Sequence, residues 1–344
     1  YFLLEHGFKP TNGETFSRLE VTTFPEEFSK PAYLAQEACK FIEEYKNQPF
    51  ILFVNFLEPH MPFSSCRNNQ YNPEIIPLPK NFYSIPGPEH PLNLRVLHRF
   101  YKEVWNLKTE DDWKKLIARY WGLCSLVDTY IGKILEKLKE CDLWDKTIIV
   151  FTSDHGDMMG SHQLLTKSVM FEEAVRVRLF IKLPNQKEGK RIYGPVSHID
   201  LIPTILDLLG EPIPKDLPGE SLKKYLEDPN VTIIEDDIIV EWNGTKEVFK
   251  KTKESLPSWM LEYGNKEELE KAMSDPIRTI ITKDQWKFNC SCLAEHELYN
   301  LNEDPYETTN LAKNSYYKSL MRHLREKILK WQEKVNDIVK LPEI

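Results

Sequence analysis

No stretch of this 344-residue chain comes near the roughly 18 consecutive apolar residues of a membrane span, and nowhere do five Lys or Arg stand together. The first absence leaves no helix expected to cross a bilayer. The second, joined to a formal net charge of −8, speaks against a nucleic-acid-binding surface, although a local basic patch could still hold a polyanion. Cysteine is scarce too. Cys39, Cys66, Cys124, Cys141, Cys290 and Cys292 are too few for a disulfide framework in a chain this long, and Cys290 and Cys292 stand too close for paired zinc-knuckle spacing. The opening "YFLLEHGFKPTNGETF" has no Met, no basic start, no long apolar core and no small-residue cleavage site, so it does not read as a signal peptide. The chain is therefore expected to begin partway into a longer one. Sequons at Asn230, Asn243 and Asn289 carry little weight without evidence of secretion. No internal repeat is seen, and oligomeric state is not legible.

What is present suits a globular protein. With 41% hydrophobic and 12% aromatic residues the chain can bury a substantial core, in one large domain or two. "YLAQEACKFIEEYK" (33–46) has helical spacing, and the apolar, β-branched "FILFVNFL" that follows fits a strand buried on both faces. From 64 to about 107 the text is rich in Pro, Asn and aromatics with little period, which predicts a long loop over a pocket. Residues 110–140 predict one or two helices, "TIIVFTS" (147–153) a second buried strand, "RLFIKLP" a third, and "HIDLIPTILDLLG" a helix stopped by Gly210. This alternation predicts an α/β domain with a mainly parallel sheet flanked by helices over 1–228. Residues 229–344 hold a further strand at "DDIIVEWNG", then hairpin strands and a charged helix from about 316 to 339, a smaller C-terminal α+β subdomain.

Both apolar strands run directly into polar loops. In open α/β sheets ligands sit at the carboxyl ends of strands, so these loops are expected to share one crevice. Asp154 and His155 can supply a carboxylate and a neutral imidazole to one divalent metal, with Gly156 allowing a sharp turn; a capping Asp beside a surface His is the bland alternative. Lys167 is a lone cation ahead of the next strand, suited to the oxyanion of a sulfate or phosphate or, equally, a solvated lysine. His60, between Pro59 and Pro62, is either a fixed donor or a surface histidine.

The order of these elements resembles the sulfatase branch of the alkaline-phosphatase superfamily. "PFILFVNFLEPHMPF" is similar to that family's strand ending in Pro-His-x-Pro, and "TIIVFTSDHGDMMGSH" to its Ser-Asp-His-Gly strand end with a following Gly-x-His. "KSVMFEEAVRVRLFIKLP", "VSHIDLIPTILDLLG" and "ELYNLNEDPYETTNLA" resemble three further stretches, in the family's order, from "HGF" (6–8) onward. The resemblance implies an alkaline-phosphatase-like fold, with Asp154 and His155 as metal ligands, Lys167 and His60 as catalytic groups on the sulfate or phosphate, and His162 and His198 on the substrate side or one layer behind it. Glu172 and Arg176 read as a structural ion pair, while Arg178 stands where the family usually has Pro.

The family also carries a Cys-x-Pro-x-Arg or Ser-x-Pro-x-Arg segment, whose first residue becomes formylglycine, and an early acidic pair of metal ligands. No Cys here is followed by x-Pro-x-Arg, and both features are expected upstream of 6–8. The chain alone is thus expected to hold half an active site and to turn nothing over. The resemblance implies a sulfuric ester hydrolase acting on a sulfated small molecule or glycan, using Ca²⁺ or alternatively Mn²⁺, in the periplasm, the lysosome or the extracellular space. A phosphonate monoester or phosphodiester hydrolase on the same scaffold, or a non-catalytic binding homologue, remains open.

Overall fold

The computed structural model describes residues 2–245 and 256–344. In chain order its principal elements are α1 (Lys30–Tyr45), α2 (Leu92–Val104), α3 (Glu110–Glu140), β1 (Ile149–Phe151), α4 (Glu172–Val175), β2 (Phe180–Lys182), α5 (Leu201–Leu209), β3 (Ile238–Trp242), α6 (Lys266–Met273), β4 (Ile277–Ile281), β5 (Trp286–Ser291), β6 (Glu297–Asn300) and α7 (Lys318–Val335). They divide between two compact units, one built from 1–78, 107–149 and 182–187, the other from 79–106, 150–181 and 188–344.

The first unit rests on α1 and α3. Ser29 caps α1 by accepting the Ala32 N–H, Pro31 occupies the first turn, and the buried stripe of Ala32, Ala35, Ala38 and Ile42 keeps helical spacing. Thr109 and Asp112 form a capping box on α3, with three acids in its first turn and Lys137 and Lys139 in its last, an order that suits the helix dipole at both ends. Ala32 and Ala35 of α1 pack with Leu126 and Tyr130 of α3, and Phe56 covers them. Residues 51–57 correct the expected buried strand. The segment joins no sheet among the described residues, and although Leu52, Val54 and Phe56 are half-buried, Ile51 and Phe53 are 87% and 88% exposed. Apolar character on both faces is present, but only one face is covered.

β1 pairs with β2 in a two-stranded sheet. β1 is shorter and less buried than the sequence predicts, since a strand with a single neighbour leaves Phe151 and its partner across the pair, Phe180, 42% and 62% exposed. The expected loop at 64–107 contains α2, whose Leu94, Leu97 and Tyr101 are buried at spacings of three and four. Gly210 ends α5 in the left-handed region at φ 77°, as its position after the apolar run predicts.

The four-stranded antiparallel sheet runs β3-β4-β5-β6. One face carries Ile280, Phe288, Cys290 and Leu298, packed on Met321, Leu324 and Ile328 of α7. Alternation then sends Thr279, Lys287, Asn289, Glu297 and Tyr299 to the other face. Those five are buried as well, so this face is polar and covered rather than solvated.

Candidate active site

The chain leaves β1 through Thr152 and Ser153 into the Asp154-His155-Gly156 turn. The Asp154 carboxylate is 85% exposed, and its Oδ1 accepts the His155 N–H at 2.9 Å. His155 Nδ1 lies 2.7 Å from the Gly156 carbonyl, an acceptor only, which puts the ring proton on Nδ1 and leaves the Nε2 lone pair free. That Nε2 stands 3.4 Å from Asp154 Oδ2. Two donors each about 2.4 Å from one ion, at a right angle, stand about 3.4 Å apart, so the pair fits two neighbouring positions around a Ca²⁺-sized cation. A smaller ion at about 2.1 Å would draw them closer. Among the described residues no three His, Cys, Asp or Glu side chains converge as a complete ligand set, so the pair supplies part of one.

Gly156 is needed for space. Its N–H donates to the Ala174 carbonyl at 2.8 Å, and a Cβ on it would fall 2.0 Å from the Glu173 carbonyl oxygen. The turn is thus pressed against the backbone of α4. Asp157 closes the next loop: its Oδ1 accepts the Met159 and Thr166 N–H groups, at 3.0 and 2.9 Å. Burial pushes its pKa up, against those two donors and the nearby Lys167 and His155.

Lys167 is half-buried and makes no hydrogen bond or ion pair among the described residues. Thr166 and Ser168 on either side hold φ of 62° and 80°, and Met159, His162 and Gln163 are also left-handed. Non-glycine residues in this region cost roughly 1–3 kcal/mol each and persist where their surroundings fix them, often at functional sites. Tyr101 of α2 contributes one such restraint, its hydroxyl 3.0 Å from Thr166 Oγ1.

His198 is exposed, with Nε2 3.3 Å from Thr152 Oγ1, so it sits beside the start of the turn. His162 has no exposed surface. Its Nδ1 donates to the Ser84 carbonyl at 2.6 Å, its Nε2 accepts from Asn81 at 3.1 Å, and its ring stacks on Phe171 at 4.1 Å. Burial lowers its pKa, consistent with a neutral ring. With both nitrogens engaged it faces no ligand, which corrects the substrate-side expectation. His60 belongs to the first unit, where it lines a cavity of about 30 Å³ with Arg18, Glu58 and Ser64; its Nδ1 is 3.0 Å from the Met61 carbonyl. Glu58 Oε2 is buried there without a partner among the described residues. Arg18 and Glu58 carried no motif that would have singled them out.

The Glu172–Arg176 pair forms only at 3.9 Å, with the arginine largely exposed. The principal partner of Glu172 is the fully buried Lys287, at 3.0 Å. One stretch of the chain does spell the serine form of the nucleophile motif, "SDPIR" at 274–278. It has a structural explanation: Ser274 caps α6 and donates to the Glu270 carbonyl, and the buried Arg278 donates two hydrogen bonds to the Asp337 carboxylate, at 2.7 and 2.9 Å.

The Sulfatase family model matches residues 8–211, more than half of the chain. The chain belongs to the sulfatase family. A second model, the C-terminal region of N-sulphoglucosamine sulphohydrolase, matches residues 160–334. The chain is similar to the multifunctional alkaline phosphatase superfamily protein PehA of Trinickia caryophylli, 27% identical over 322 residues, 90% of this chain and 60% of that protein. It is also similar to the uncharacterized sulfatase YidJ of Escherichia coli K12, 26% identical over 332 residues, 93% of this chain and 58% of that one. It thus spans under two thirds of the length of these relatives. The phosphonate monoester hydrolase of Silicibacter pomeroyi has the same fold, with a TM-score of 0.76 at 23% identity over 98% of this chain and 68% of that one. A structure solved with its substrate D-glucosamine-2-N,6-O-disulfate aligns with a TM-score of 0.70 at 21% identity, over 90% of this chain and 70% of that one. The fold is accordingly α/β and alkaline-phosphatase-like.

Proposed function

We propose that the protein is a metal-dependent hydrolase of sulfate esters and that this chain carries the part of its site that supplies charge. The observation that carries the reading is the 3.4 Å approach of His155 Nε2 to Asp154 Oδ2 at the exit of β1, with the ring tautomer fixed from behind by the Gly156 carbonyl. Asp154 and His155 would hold the divalent ion, Ca²⁺ where carboxylate oxygens dominate the full site and Mn²⁺ as the alternative that suits an imidazole ligand. When bound, that ion adds positive charge where negative charge develops on the ester oxygens. Lys167, unpaired among the described residues, supports an ester oxygen from a second direction. His60 is assigned a role toward a sulfate or phosphate oxygen, as a contact or as the acid that protonates the departing alcohol, and His198 to orienting substrate beside Thr152. The attacking oxygen is assigned to a formylglycine on a segment upstream of residue 6.

The substrate class is a sulfated small molecule or glycan, acted on outside the cytosol. Residues 1–228 read as the core and 229–344 as the C-terminal part, with the metal turn in the former. No helix among the described residues is long and apolar enough to cross a membrane. A phosphonate monoester or phosphodiester reading is supported by the similarity to solved phosphonate monoester hydrolases. Parallel assays of the full-length enzyme on an aryl sulfate and an aryl phosphonate, with Ca²⁺ and with Mn²⁺, separate the two. Faster turnover of the sulfate is expected. A preference for the phosphonate supports the second reading, and no hydrolysis of either supports a binding homologue.

A further inference from the structure

Lys287 of β5 should, by the alternation of its strand, stand on a solvated face, yet its side chain has no exposure at all. Its Nζ lies 3.0 Å from Glu172 Oε1 and 2.8 Å from Glu307 Oε1, and the Glu307 side chain is also fully buried. Glu307 Oε2 in turn accepts the Glu172 backbone N–H at 2.6 Å. Glu172 is thus gripped twice, its carboxylate by Lys287 of β5 and its main-chain N–H by Glu307 beyond β6. It is the first residue of α4, and two residues on, the Ala174 carbonyl holds the Gly156 N–H while the Glu173 carbonyl leaves no room for a Cβ at Gly156. On the other side of α4, Glu173 Oε1 accepts from Asn81, which also holds His162.

Burial pushes the Glu307 carboxyl up to about 8, against the pull of Lys287. Burial opposes the charge on Lys287 as well, but Glu307 and Glu172 more than offset it and raise its pKa. The Lys287 ammonium stands between two carboxyl groups that both face it, so the cost of taking its charge out of water is offset on the spot.

We propose that Lys287 is a positioning residue for the Asp154/His155 pair, acting through Glu172 and the backbone of α4 on the Gly156 turn. The proposal rests on the metal reading for its functional meaning, but the linkage itself is a matter of this chain's geometry. No metal donor is contributed by the trio. It fixes the surface against which the turn carrying both donors is laid, and outer partners of this kind typically change metal affinity by about 10- to 100-fold.

Site-resolved hydrogen exchange on the 344-residue chain tests it, comparing wild type with Glu172→Ala and Lys287→Met. Glu172→Ala removes the carboxylate contact with Lys287 while leaving the residue-172 N–H on Glu307 and Lys287 paired with Glu307; Lys287→Met removes the anchor of that carboxylate. Exchange at the Gly156 amide is expected to accelerate at least tenfold in both variants relative to the amides of β4, and in Glu172→Gln, which keeps the acceptor, to stay within about threefold of wild type. If Gly156 speeds up only as much as β4, Lys287 is a structural staple and the proposal is overturned. Should Lys287→Met not fold, Glu172→Ala alone decides in the same terms. Mn²⁺ affinity of the full-length enzyme, read by electron paramagnetic resonance, separates this proposal from the metal reading. Weakening in Glu172→Ala supports both, an unchanged affinity overturns positioning, and a wild type that binds no Mn²⁺ at this turn overturns the metal reading while the exchange result stands.

Discussion

At Gly156 and Lys167 the function and the local backbone are hard to separate. Gly156 has no side chain because the backbone of α4 occupies the place where one would go, and Lys167 sits half-buried between two left-handed residues, near Asp157 but in no hydrogen bond or close ion pair among the described residues. Removing the ammonium by Lys167→Ala in the full-length enzyme should lower kcat/KM by about a hundredfold or more, near 3 kcal/mol, the size of a lost charge-stabilising donor. Stability should barely change, because no ion pair among the described residues is broken. Steady-state kinetics and a thermal melt on the same variant check this. Wild-type turnover, or activity lost only through unfolding, would make Lys167 an ordinary lysine. The pairing of Asp154 with His155 was legible because two donors at the end of an apolar strand are adjacent in sequence. The burial of His162 was not, since its partners Asn81, Ser84 and Phe171 come from separate stretches that no local pattern links.

Among the elements, those specified by local chemistry were read best. Helix α3 is announced by its capping box, α5 by Gly210, and the hairpins of the C-terminal sheet by alternation bounded by turns. Elements that depend on a partner were read worst: 51–57 has the composition of a strand but joins no sheet here, and Lys287 lies at an alternating position that would be solvated if Glu172 and Glu307 did not cover it. The same covered face makes a pH prediction. Glu307 titrates near 4.3 in an unfolded chain and is pushed up to about 8 in the fold, so its contribution to stability is complete below about pH 4 and is lost as pH rises through 8. Urea unfolding between pH 5 and 8.5 should therefore show wild type losing stability relative to Glu307→Gln by up to about 1.4 kcal/mol per pH unit. Parallel curves for the two proteins would mean that Glu307 titrates normally in the fold.

For the whole molecule, the proposed chemistry turns on one pair of side chains, Asp154 and His155. The two compact units each hold candidate groups: His60 with Arg18 and Glu58 in the first, and Asp154, His155, Lys167 and His198 in the second. A sulfatase-type site needs the second set to hold a cation, and no cluster of three His, Cys, Asp or Glu among the described residues substitutes for that. The most direct test is a crystal structure of the full-length enzyme grown with Mn²⁺, with anomalous diffraction used to locate the ion. The account predicts an anomalous peak within about 2.0–2.6 Å of both an Asp154 carboxylate oxygen and His155 Nε2, and its loss in Asp154→Asn. An ion bound elsewhere, or Asp154 and His155 turned away from each other with no ion between them, would contradict it.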